Sequence, residues 1–69
     1  MDDASLSEQQ RHVYRLLGEG ASTGEIAEQL HVSPRTVESY CARMIEKLGL
    51  AGMKELRRQA IADRLGGAR

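Results

Sequence analysis

Between the helical pattern that ends at Leu30 and the one that begins at Pro34, the chain has only His31, Val32 and Ser33 in which to turn. Ser33-Pro34 marks the second boundary. Serine is a favoured N-cap, and proline fits the first helical position because the amide hydrogen it lacks would have no partner there. Two helices joined so closely have no room to pack antiparallel, so they cross at a steep angle. His31 lies where such a turn needs a left-handed backbone, and histidine is among the non-glycine residues enriched there.

The rest of the chain reads as helices around this pair. Ser7 followed by Gln10 forms a capping box for a first helix, with Leu6 as a staple before it. Val13, Leu16 and Leu17 give that helix an apolar stripe, and Gly18 and Gly20 end it. The second helix runs from Ser22 or Thr23 to Leu30, with Ile26, Ala27 and Leu30 inward. The third spans Pro34 to Leu48 and stops at Gly49. At 100° per residue its Val37, Cys41, Met44 and Leu48 fall within roughly 60° of one another, with Tyr40 beside them. Arg35, Ser39, Ala42, Arg43 and Glu46 collect on the opposite side, with Glu38 at its edge. A fourth helix from Met53 to Leu65 has Leu56, Ala60, Ile61 and Leu65 as apolar spots and ends at Gly66-Gly67. β-Branched residues are too few and scattered for a sheet. The expected fold is all-α, with four helices.

Ile26, Ala27, Leu30, Val32, Val37 and Tyr40 stand where a helix-turn-helix unit needs apolar contacts, with small Ala27 opposite Val37 at the closest approach. In such a unit the second helix enters the major groove of DNA. Helix 34–48 then offers Arg35 and Thr36 to phosphate, near a helix start whose dipole favours anions. Glu38, Ser39 and Ala42 face base edges, and Arg43 lies on the same side. Lys47 and, from helix two, Thr23 complete the candidate DNA contacts. Tyr40 either puts its hydroxyl on phosphate or only closes the core. Glu38 either accepts from cytosine N4 or pairs with Arg35 or Arg43 and orients it. Cys41 reads as a small apolar filler.

Ten Lys and Arg balance ten Asp and Glu, which argues against a non-specific electrostatic coat but leaves room for charges sorted onto different faces. A 69-residue chain is one domain and buries only roughly 60% of its unfolded surface, so its stability margin is thin. One cysteine and two histidines, His12 and His31, form neither a disulfide nor a metal set. No cofactor is expected, and a partner chain is the stabiliser left to consider. No apolar run suggests a signal or a membrane span, so a cytoplasmic protein is expected. Nothing resembles a nucleophile with a positioned base or a phosphate-cradling loop, so an enzyme is not expected.

The sequence resembles the LuxR family of DNA-binding domains, known also from the NarL and FixJ response regulators. The resemblance runs from Leu6 to about Leu65. It is carried by Leu6-Ser7, Val13 to Leu17 with Gly20, the run from Glu25 to Leu30, Val32-Ser33 with Thr36-Val37, and Lys47-Leu48-Gly49-Leu50. The stretch Thr36-Val37-Glu38-Ser39-Tyr40 is similar to the response-regulator branch with Glu and Tyr there, where other members have Lys and His. The resemblance implies a tetrahelical domain at 6–65, a flexible lead or linker end at 1–5 and a tail at 66–69. It also implies sequence-specific transcription regulation, as the output half of a two-component response regulator or as a small stand-alone regulator. The implied partners are double-stranded DNA and a second copy, paired weakly through helix four and more strongly on DNA. Met53, Leu56, Arg57 and Ala60 are the expected seam, although Leu56, Ala60 and Met53 could pack on the core instead. RNA polymerase is a further candidate partner. Gly24 departs from the family's usual Lys or Arg and removes a phosphate contact. The alternatives are a promoter-reading domain like those of sigma factors, which end sooner after the recognition helix, and a protein-interaction adaptor that has lost DNA binding.

Overall fold

The computed structural model describes residues 7–66, which form α1 (Glu8–Gly18), α2 (Thr23–Leu30), α3 (Pro34–Leu48) and α4 (Met53–Gly66). The expected lead at 1–5, the staple residue Leu6 and tail residues 67–69 lie outside the described residues. Gly66, assigned to the tail by sequence, is the last residue of α4.

Three serines start three helices. Ser7 Oγ accepts from the Gln10 amide at 3.1 Å, while Gln10 Oε1 accepts from the Ser7 amide at 3.0 Å. Ser22 and Glu25 repeat the arrangement at 3.1 and 2.9 Å, which fixes the cap of α2 on Ser22 and adds a second capping box. Ser33 Oγ accepts from the Thr36 amide at 3.2 Å, just ahead of Pro34. Each such cap contributes about 1 kcal/mol. His31 turns the chain with φ 59° and ψ 43°, and the Val32 amide donates back to Ala27 O at 3.0 Å. Gly49 closes α3 at φ 69°.

The core joins Val13, Leu16 and Leu17 of α1, Ile26 and Ala27 of α2, Val37, Cys41 and Met44 of α3, and Leu56 and Ala60 of α4. α1 lies along α4 and also touches α2 and α3, while α2 packs on α3. Leu48, expected in this core, is exposed. At the end of α3 the Leu50 amide donates to Ile45 O at 2.9 Å, and this closure brings Ile45 and Leu50 against the core instead.

α4 departs from expectation in its outer half. Ile61 is exposed and Leu65 is 73% exposed. At 100° per residue both stand roughly 140–180° from Leu56, on the side of α4 away from α1. The inner side is held by a side-chain bond between distant residues: the Tyr14 hydroxyl donates to Asp63 Oδ2. Burial first, then the bond to Asp63 and its negative charge, push the Tyr14 phenol above its ordinary value of 10.0. The folded state therefore holds this proton more tightly than the unfolded chain. The resulting stability is fully present below the unfolded value and is lost as pH rises beyond about 10. We expect the wild-type chain to lose stability faster than Tyr14→Phe above that pH in chemical denaturation. Parallel curves for the two proteins would mean that the bond is not formed in solution.

Candidate nucleic-acid interface

α3 presents two unlike sides because its apolar residues recur at strict three- and four-residue steps. Val37, Cys41 and Met44 are buried, whereas Arg35, Glu38, Ser39, Ala42, Arg43, Glu46 and Lys47 are exposed. Arg35, Ser39 and Arg43 are thus free of core packing. Basic Arg35, Arg43 and Lys47 share this side with Glu38 and Glu46, so its charge is mixed.

Thr36 is half-buried, and its Oγ1 lies 3.1 Å from Ser33 Oγ within the cap. A phosphate contact from this hydroxyl would therefore draw on a group that the helix start already uses. Tyr40 is half-buried and packs against the core. Thr23, at the first position of α2, is also half-buried and lies with Glu38 and Ala42 along one groove. The start of α2 and the exposed side of α3 are therefore neighbours on the surface.

Cys41 is 2% exposed. Burial pushes its thiol up, the nearby positive charge of Arg57 lowers it and Glu38 raises it. The net upward shift keeps the thiol protonated, in keeping with a packing role. Among the described residues no group of three or more His, Cys, Asp or Glu could hold a metal ion. None of their helices is long and apolar enough to cross a membrane.

Of the expected pairing residues on α4, Leu56 and Ala60 need correction. Leu56 and Ala60 are 0% and 2% exposed and are committed to the chain's own core. Met53 packs partly against that core as well. Arg57 turns toward the loop before α2, where its Nη1 donates to Ala21 O at 2.8 Å. The exposed surface of α4 is lined by Lys54, Arg57, Arg58, Ile61 and Ala62, with Leu65 beyond. A helical wheel carries the signal for this division, because Leu56 and Leu65 fall on opposite sides of it. The Arg57–Ala21 and Tyr14–Asp63 bonds have no such local signal.

Residues 4–60 match the family described as bacterial regulatory proteins, luxR family. The response regulator UvrY of Escherichia coli is 45% identical over 58 residues, 84% of this chain and 27% of that protein. The transcriptional regulatory protein FixJ of Azorhizobium caulinodans is 41% identical over 58 residues, 84% of this chain and 28% of that protein. An HTH-type transcriptional regulator of Mycobacterium bovis is 46% identical over 52 residues, 75% of this chain but 6% of that protein. The chain thus spans about a quarter or less of the length of these relatives. No solved structure gives a significant match.

Proposed function

Because the chain belongs to the luxR family of bacterial regulatory proteins and is a DNA-binding domain of transcription regulation, we propose that α3 reads an operator in the major groove. The observation that carries this reading is the continuous exposed side of α3, in which Arg35, Ser39 and Arg43 are free of the core while Val37 is fully buried. Arg35 and Thr23 contact phosphates on either side of the groove, and Thr36 secures the helix start. Glu38, Ser39 and Ala42 meet base edges. Arg43 and Lys47 follow the backbone further along, and the Tyr40 hydroxyl lies within reach of it. In a full-length response regulator this segment acts as the output half, with a receiver domain ahead of it. Two copies pair weakly through Ile61 and Leu65 and more strongly on adjacent half-sites, about one helical turn apart.

Binding-site selection from a random duplex pool tests the reading. The wild-type chain is expected to recover one motif. Its affinity should fall with salt at a log–log slope near about −4 per monomer, if each makes about four phosphate contacts. Glu38→Gln is expected to change the preference at one base pair, by up to about 1–3 kcal/mol of discrimination against the wrong base. An unchanged preference removes the direct contact by Glu38. A flat salt response with no motif would favour an interaction adaptor.

A further inference from the structure

Arg57 makes a connection that neither pairing nor base reading accounts for. Its Nη1 donates to Ala21 O at 2.8 Å, joining residues 36 apart in sequence. The side chain is half-buried, and its charge lies close enough to Cys41 to act on it. With Thr23 and Glu38 it lines the groove that separates the start of α2 from α3. Ala21 is the residue before Ser22, whose hydroxyl caps α2. A guanidinium on a carbonyl is a charge-assisted bond, stronger and more directional than a neutral one. It fixes from α4 the peptide from which α2 starts, although α2 packs mainly on α3 and α1.

We propose that Arg57 is a positioning residue for DNA binding: by holding the Ala21–Ser22 peptide it sets the start of α2, with Thr23, at a fixed spacing from the reading side of α3. Phosphate contacts fix a protein's register on the duplex. A start of α2 that drifts relative to α3 satisfies one set of contacts only by loosening the other. An apolar residue at position 57 could fill the same groove but could not hold the carbonyl. Lysine would bring the charge without the planar fork. The inference rests on the major-groove reading of α3 and Thr23 given above.

The test is a double-mutant cycle with the 69-residue chain on a duplex recovered by selection from a random pool. Thr23→Val removes the hydroxyl and is expected to weaken wild-type binding about fivefold, the size expected for one lost hydrogen bond. In an Arg57→Met background, which keeps the stem and removes the fork, the same change should cost less than about twofold. Arg57→Lys should restore part of the coupling. Arg35→Ala, on α3 itself, should weaken binding by a similar factor in both backgrounds. If Arg57→Met does not fold, Arg57→Gln takes its place in the cycle. An equal Thr23 effect in both backgrounds makes Arg57 merely structural and overturns the inference. So does a Thr23→Val without effect on a chain that Arg35→Ala weakens. If neither substitution weakens the wild-type chain, the major-groove reading fails, and this inference falls with it.

Discussion

Leu56→Ala is expected to destabilise the domain by about 2–5 kcal/mol and to abolish most of its cooperative melting. Leu56 is fully buried where α4 meets the rest of the core. Removing its side chain loses the transfer energy of the missing carbons and leaves a cavity that rigid neighbours fill poorly. A domain of this size has a total stability of only about 3–10 kcal/mol, so one truncation removes a large share of it. Thermal denaturation followed by helical circular dichroism reads the effect. Leu65→Asp is the contrasting variant. At 73% exposure it should melt within about 0.5 kcal/mol of wild type. On an operator with two half-sites, however, it should lose the pairing proposed through Leu65, as seen by sedimentation of the complex. A folded Leu56→Ala protein that no longer pairs, beside a Leu65→Asp protein that does, would return the seam to the inner side of α4.

Gly18→Ala should also destabilise, by about 1–3 kcal/mol, even though alanine is the better helix former by about 1 kcal/mol. A Cβ at position 18 would lie 2.7 Å from Ala60 O and 3.2 Å from Ala60 C. Both are backbone atoms and have no rotamer into which to retreat. α1 and α4 would have to separate along their main line of contact. For a chain of this length each kcal/mol lowers the melting temperature by about 4–8 °C. Gly24→Ala is the control for helix propensity. Its new Cβ would meet only Ser22 Oγ, at 3.9 Å, so it should gain about 0.5–1 kcal/mol. A Gly18→Ala protein that melts above wild type would show that the two helices are not in backbone contact in solution.

The starts of α1, α2 and α3 and the ends of α2 and α3 were legible in the sequence because each has a local chemical cause: a serine cap, a proline, a left-handed residue. The sides of α3 were largely legible too, because Val37, Cys41 and Met44 recur at four- and three-residue steps with Arg35, Ser39 and Arg43 opposite; Leu48, on the same stripe, is the exception. α4 was not, since it carries apolar residues on both sides, and residue type alone does not say which side meets α1. Gly18 read as a helix terminator and is the last residue of α1, but its close approach to Ala60 had no signal in the sequence. Position 57 read as part of the pairing seam, and only the fold brings it to Ala21. Tyr14 and Asp63 are 49 residues apart, and nothing local to either predicts the other. What sequence reading missed is therefore mostly contact between distant segments, where spacing gives no guide.

The exposed side of α3 has almost no part in holding the domain together. Arg35, Ser39, Ala42 and Arg43 can be exchanged without disturbing a buried neighbour, so a new target preference can arise by single substitutions in an unchanged framework. Tyr40 and Thr36 lack that freedom, because each also serves the packing or the cap. Under the proposed reading of α3, descendants of this domain can diverge quickly in the operators they recognise, while these two positions change only together with the scaffold.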